Sequence, residues 1–485
     1  MRKLLPVLNI MGLLLMVFSL TFLMPIVTSY IYQDGTLAIF VREMVVTFII
    51  GFMFYITTRR FRRELKRRDG FLLVVLAWIS MAATAALPLT GIIPGLSFTD
   101  AFFETISALT TTGATVLVGL DTLQPAANLW RHELNWIGGM GIIVLAIAIL
   151  PMLGVGGMQM FKAETPGPMK EDKLTPRITE TAKGFWYIYA GLTLLCIIAL
   201  RIAGMSWFDA ICHAFSVMCL GGFSTHDSSV GFFNSPAIEA VMIVFMLISG
   251  INFATHFLAF HRRSLKSYLM DSEAKGFLFI VLASCVGTAL FLMYESVYRD
   301  FFTALRHASF NVVSIATTSG FASVDFNQWP IYLPLWMLFL AGISTSSGST
   351  GGGIKMIRTM LLYKQGLREM QRLIHPQVIS TVKIGGRVIP NNVVFSVLGF
   401  IFLYFMSLLV VAFLLMITGL DFVSALTAAL ATINNTGPGL NLVGPATNYQ
   451  ILSDAQTWIC SFAMLLGRLE IFTLLILFTP SFWRK

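Results

Sequence analysis

Four short stretches of this chain align without gaps in a register that chemistry can use. They read DAFFETISALTTTGA (100–114), DAICHAFSVMCLGGF (209–223), HASFNVVSIATTSGF (307–321) and SALTAALATINNTGP (424–438). Ala recurs at Ala101, Ala210, Ala308 and Ala425, a small residue at Ser107, Ser216, Ser314 and Ala431, and Gly at Gly113, Gly222, Gly320 and Gly437. The pairs just ahead of the glycines, Thr111-Thr112, Leu220-Gly221, Thr318-Ser319 and Asn435-Thr436, have only the main chain in common. A dehydrated alkali cation needs several oxygens around it, and a ring of carbonyls from four loops provides them. Glycine permits the positive φ that an alternating carbonyl array requires and lets four loops approach closely. The carbonyls of those eight residues, with the four glycines, are therefore the candidate cation sites. Close packing of glycines between helices does not by itself put the Ala, small-residue and Gly columns in one register.

Such loops need a scaffold, and the composition says where it lies. Of 485 residues 56% are hydrophobic and 12% charged, about half the ~25% charge of a soluble domain, and the mean hydropathy is +0.79. A water-facing surface cannot be built from this, so an all-α polytopic membrane protein is expected. A span needs ~20 apolar residues, which ten segments meet: 4–28, 36–58, 71–93, 134–153, 184–205, 237–260, 276–297, 331–362 (interrupted), 393–419 and 455–479. The apolar stretches 98–109, 207–218, 303–316 and 421–433 are too short to cross. They become half-helices, each ending at a glycine turn, and their negative dipole ends favour a cation beneath. Non-helical backbone at membrane depth is tolerated only inside protein or along a wet path, so the four turns point to one axis.

With the N-terminus cytoplasmic, the tails and the loops 59–70, 151–183, 261–276 and 355–390 carry 27 of the 33 Lys and Arg and 9 of the 24 Asp and Glu, a formal +18. The other 6 basic and 15 acidic residues leave −9 elsewhere. Basic loops mark the cytoplasmic side, which places both termini there. An acidic outer face raises the local cation concentration, although loops that merely lack Lys and Arg give much of the same asymmetry. The net +9 thus reports topology rather than a nucleic-acid partner.

The four half-helix and glycine-turn units, with TTTGA, CLGGF, TTSGF and NNTGP at their ends and two spans ahead of them, resemble the Trk/Ktr/HKT superfamily of potassium transport proteins, closest to its bacterial TrkH branch. The resemblance covers essentially the whole chain. It implies four pseudo-symmetric helix–pore loop–helix repeats around one central potassium pore, in a bacterial inner membrane, with membrane lipid around it and a homodimer as the assembly. On this reading residues 1–70 are two extra N-terminal helices, 71–183, 184–275, 276–392 and 393–485 are the repeats, and potassium is the substrate at the filter. Members with Ser at the first glycine position pass sodium, so Gly113 implies potassium preference. The resemblance also implies control in trans by a cytoplasmic TrkA-type ring of subunits that bind NAD or adenine nucleotides. This chain has no nucleotide motif of its own.

The eighth span breaks into ISTSSGSTGGGIK (343–355), a run that cannot stay a lipid-facing helix. It falls below the third loop on the ion path, where the resemblance implies a movable obstruction. Gly348, Gly351, Gly352, Gly353 and Lys355 are the candidate gate, a passive kink being the simpler alternative. The string is no phosphate-binding P-loop, since its Lys does not directly follow the last Gly and no strand precedes it. Arg468 lies within the last span, where a charge costs at least ~2.5–3.5 kcal/mol and must face water or a partner. It is the candidate pore barrier, and the resemblance places an arginine there too. Glu470, two residues on, does not share its helical face.

Asp100 and Asp209 read as N-caps, and His213 and His307 as structural hydrogen-bonding residues in half-helices. The basic segment 59–70 is most simply an orienting loop, and it and the segments 162–183 and 355–390 are also candidate docking surfaces for an acidic cytoplasmic partner. Cys196, Cys212, Cys219, Cys285 and Cys460 have neither zinc nor disulfide spacing. An enzyme is not expected, since G-x-S-x-G and paired His and Asp motifs are missing. A proton- or sodium-coupled symporter is the runner-up, though no intramembrane Asp or Glu dyad suggests a coupling site.

Overall fold

The computed structural model of the chain describes residues 4–61, 63, 65–148 and 178–484. The end of the expected span 134–153 and all but the last residues of the loop 151–183 lie outside them. Two apolar helices come first, α1 (Leu5–Tyr32, with a 3-10 turn at Ser19–Phe22) and α2 (Leu37–Thr58). They approach at glycines: a Cβ on Gly12 would sit 2.6 Å from the Gly51 carbonyl, and one on Gly51 would sit 2.7 Å from that of Gly12. Small residues let lipid-embedded backbones pack this closely.

The rest of the chain repeats one unit. In the first, α3 (Arg67–Ile92) leads to the short α4 (Phe98–Leu109) and the returning α5 (Pro125–Ala148). In the second, α6 (Ile178–Ile202) leads to α7 (Trp207–Cys219), then α8 (Pro236–Ser249) and α9 (Phe253–Arg262). The third comprises α10 (Ser272–Tyr294), α11 (Phe301–Ala316), α12 (Tyr332–Ile343) and α13 (Met356–Ile374). The fourth has α14 (Asn391–Ile417), α15 (Phe422–Ile433), α16 (Asp454–Arg468) and α17 (Glu470–Leu475).

Each returning helix packs on its own short helix and on that of the following unit: α5 on α4 and α7, α8 on α7 and α11, α12 on α11 and α15, and α16 on α15 and α4. That last contact closes the sequence into a ring. The apolar core is correspondingly divided, one part joining the first and fourth units and another the second and third. The short helices begin alike, with Ser97, Ser206, Asp300 and Asp421 accepting N–H groups of the first turn. Asp100 and Asp209 therefore are not the caps. They stand three residues later, where each accepts the cap serine's hydroxyl at 2.7 Å and where a carboxylate still meets the positive helix end.

Six described helices are long and apolar enough to cross a membrane, or eight if two bent pairs each count as one span, so this is a multi-pass membrane protein. The expected count of ten is not reached by that measure because several spans are broken. The sixth bends by 92° between α8 and α9, and the tenth by 110° after Arg468. After the interruption in the eighth, the chain does not resume as a span. Instead α13 is amphipathic, and with a small antiparallel hairpin (Lys383–Ile384 with Arg387–Val388) it gives the basic segment 355–390 regular structure.

Candidate ion-binding ring and intramembrane segment

All four short helices end in the same hydrogen-bonded turn. Thr111 N–H donates to Ala108 O and Thr112 N–H to Ser107 O, at 2.9 and 2.8 Å. Leu220 and Gly221 bond Val217 and Ser216 in the same way, Thr318 and Ser319 bond Ile315 and Ser314, and Asn435 and Thr436 bond Thr432 and Ala431. This is a Schellman turn, whose first residue outside the helix takes the left-handed conformation. Glycine usually fills that position, yet here it holds Thr111, Leu220, Thr318 and Asn435, at φ between 52° and 62°. The left-handed conformation costs a non-glycine residue about 1–2 kcal/mol. Strain of this kind is retained where backbone direction matters more than local stability. Two residues on, Gly113, Gly222, Gly320 and Gly437 return to positive φ, at 77°, 73°, 85° and 93°.

The turns meet in cyclic order. A Cβ on Gly113 would collide with the Gly221 carbonyl, one on Gly222 with Ser319 O, and one on Gly320 with Thr436 O; one on Gly437 would lie 2.7 Å from Thr112 O. Each glycine is thus pressed on the main chain of the next loop, which a side chain would forbid. One cavity of about 80 Å³ touches all four glycines and, above them, Arg131, His226 and Asp227. The twelve residues expected at the cation sites are brought together here. Thr111, Thr112, Leu220, Thr318, Ser319, Asn435 and Thr436 are buried. The Asn435 side chain joins two of the loops, donating to Thr112 Oγ1 at 2.9 Å and to Met464 O at 2.9 Å.

Residues 344–355 pass directly against this ring. Thr318 Oγ1 accepts from Gly352 N–H at 2.9 Å, Thr350 Oγ1 donates to Met218 O at 3.1 Å, and Ser344 Oγ donates to Ala316 O. A Cβ on Gly352 would collide with Asn434 O. Gly348, Gly353 and Lys355 all have positive φ, and the Lys355 ammonium turns back to bond Gly351 O. Arg468 crosses to this segment, donating to Thr350 O at 2.9 Å and to Gly138 O at 3.1 Å. Its guanidinium therefore has carbonyl partners, whereas Glu470, beyond the helix break, pairs with Arg358 at 3.0 Å. From outside, Glu273 Oε1 accepts N–H bonds from Ser347 at 2.5 Å and Ile357 at 3.2 Å, clasping both ends of the segment.

Above the ring, His226 lies 2.5 Å from Asp121 and 3.5 Å from Asp209, stacked on Phe232. Burial alone would lower its pKa, but these two carboxylates outweigh burial and raise it above the ordinary 6.5. The bond from His226 lowers Asp121 below 3.8. Asp209 is also lowered, since His226, Ser206 and Thr225 overcome its burial.

The sequence reading missed Glu273, Thr350 and a further column. Nine residues before each glycine stand Glu104, His213, Asn311 and Ala428. The first three reach the chain just past the glycine: Glu104 accepts from Thr115 Oγ1 at 3.0 Å, His213 Nε2 lies 3.0 Å from Ser224 Oγ, and Asn311 Nδ2 donates to Ser323 Oγ at 3.0 Å. The gap-free alignment contains this column, but its members share polarity rather than identity.

Comparison with known proteins agrees with the architecture. Residues 37–485 match the family model described as TrkH, cation transport protein. The chain is 49% identical over 482 residues to the Trk system potassium uptake protein TrkH of Vibrio parahaemolyticus, covering 99% of both chains. It is 47% identical over 478 residues to the Escherichia coli K12 protein of the same name, covering 98% of this chain and 99% of that one. It is 38% identical over 477 residues to the E. coli K12 Trk system potassium uptake protein TrkG, covering 98% and 97%. The crystal structure of the potassium transporter TrkH from V. parahaemolyticus superposes with a TM-score of 0.91 at 46% identity, covering 99% of this chain and 100% of that one.

Proposed function

The chain belongs to the TrkH family of cation transport proteins, a family of transporters and not enzymes, and we propose that it takes up potassium across a bacterial inner membrane by gated permeation. The observation that carries this reading is the closed ring of four left-handed turns, each with its glycine against the next loop's carbonyl. Fixed carbonyl dipoles replace the hydration shell of a cation whose size suits them. The filter is then made by the main chain of Thr111, Thr112, Leu220, Gly221, Thr318, Ser319, Asn435 and Thr436 with Gly113, Gly222, Gly320 and Gly437. Residues 344–355 are the gate, hinged at Gly348, Gly351, Gly352, Gly353 and Lys355, and Arg468 is an electrostatic barrier below the filter that also tethers the gate. Both termini lie in the cytoplasm, the assembly is a homodimer in lipid, and the basic cytoplasmic surfaces dock a TrkA-type ring whose bound NAD or adenine nucleotide sets the gate.

The test is tracer flux into liposomes holding the purified chain, comparing potassium, rubidium and sodium. Passive uptake with potassium and rubidium well ahead of sodium is the expected result. Equal sodium and potassium flux would overturn the filter, and flux that requires a proton or sodium gradient would replace permeation by symport.

A further inference from the structure

We propose that the buried Glu104–Arg131 ion pair is a selectivity-determining positioning pair, fixing how the first and second filter loops stand against each other. The inference rests on the filter reading above. Glu104 Oε1 accepts from Arg131 Nε at 2.7 Å, and the two side chains are 0% and 1% exposed. The same carboxylate accepts from the Thr115 hydroxyl and, at 3.1 Å, from Val116 N–H, the second and third residues of the arm leaving Gly113. Arg131 extends in the other direction. Its guanidinium lies 4.3 Å above the Phe223 ring and donates to Ser224 O at 3.4 Å, both residues being on the arm that leaves Gly222. One ion pair therefore grips both arms at the boundary where Gly113 is pressed on the Gly221 carbonyl.

Comparison within the chain sharpens the assignment. At the corresponding position the second and third units have neutral braces, His213 and Asn311, and each bonds only its own arm. The fourth has Ala428, and the neighbouring Thr427 hydroxyl accepts from Leu440 N–H instead. Among the described residues the charged brace that bridges two loops occurs only between the first and second. A buried ion pair contributes little stability over a well-packed apolar pair, and its best-supported use is to specify one geometry. Arginine's planar fork suits that use, since several donors act in fixed directions at once, whereas lysine offers a point charge on a flexible stem.

The measurement is the potassium-to-sodium flux ratio of the full chain in liposomes, with a melting temperature for each variant. Arg131→Lys keeps the charge but loses the fork. Glu104→Gln/Arg131→Met removes both charges, so neither is left buried without its partner. The ratio should fall about tenfold in both, equivalent to one decade of differential binding, while Asn311→Ser, which weakens a neutral brace, should change it far less. An unchanged ratio in a folded double variant of a selective wild type overturns the proposal, as does an equal loss of both fluxes. A wild type that does not discriminate would instead refute the filter reading.

Discussion

At Gly113 the backbone stands at φ +77° and an added Cβ would run into the neighbouring Gly221 carbonyl. Gly113→Ser must therefore part the first two loops and widen the ring on that side. Potassium flux should fall and the potassium-to-sodium ratio approach unity, as read by parallel tracer uptake. His226 is expected to act on a different variable. Its raised pKa means that the protonated ring stabilises the fold below 6.5, and that this contribution is lost as pH rises through the higher folded-state value. Asp121 and Asp209 are lowered, so theirs is present above 3.8 and lost only in stronger acid. Asp227 N–H, also donating to Asp121, and His213 beside Asp209 complete the charged and polar surroundings. The bridge is thus complete in mildly acidic solution and weakens as pH rises above 6.5 through the raised value. Raising pH from about 6 to about 9 should lower the melting temperature of the wild type, and His226→Gln should remove that dependence. The glycines were legible in the sequence because positive φ and close approach constrain a residue type directly. Glu104 and Asn311 were not, and His213 was read as a hydrogen-bonding residue without its partner, because a hydrogen bond to the returning arm is satisfied by quite different side chains.

Residues 344–355 show what a whole element adds. A run of Gly, Ser and Thr inside an apolar span announces a break, since lipid offers its backbone no partners. The partners themselves come from elsewhere, namely Thr318, Met218, Asn434, Glu273 and Arg468. The segment is therefore held from the ring side by Thr318, Met218 and Asn434, and away from the ring by the side chains of Glu273 and Arg468. Arg468→Ala removes the bridge from Thr350 to Gly138 and, on the proposed permeation path, a fixed cation, so potassium flux should rise. Glu273→Ala leaves Ser347 and Ile357 N–H groups without their acceptor, at about 1–3 kcal/mol each. This loosens the segment and should raise flux by a smaller factor, with the potassium-to-sodium ratio unchanged because no ring contact is lost. Flux in liposomes that stays at wild-type level in both folded variants would count against a gate. The breaks after Ser249 and after Arg468 were less legible, because Gly250-Ile251-Asn252 and Leu469-Glu470 interrupt apolar segments only briefly, and the chain turns there by 92° and 110°.

On the scale of the molecule, the first two helices pack on the first unit, with Phe18, Phe22 and Phe40 against Trp130, but take no part in the cyclic contacts of the ring. Packing α1 on α2 at Gly12 and Gly51 takes place outside the cyclic contacts of the four units. Gly12→Leu should therefore destabilise the protein by ~1–3 kcal/mol through overpacking, seen as a lower melting temperature, and leave the cation ratio intact. The sequence by itself determined that the chain lives in lipid, that four half-helices end in glycine turns, and that one span must break. These follow from hydropathy and backbone sterics, which act within a few residues. The tertiary structure alone decided that the loops follow one another cyclically, that α16 closes the ring onto α4, and that Arg468 reaches Thr350 and Gly138. Those contacts join residues 118 and 330 positions apart, and nothing local to either residue encodes its partner. Only the closing of the helices around one axis brings them within bonding distance.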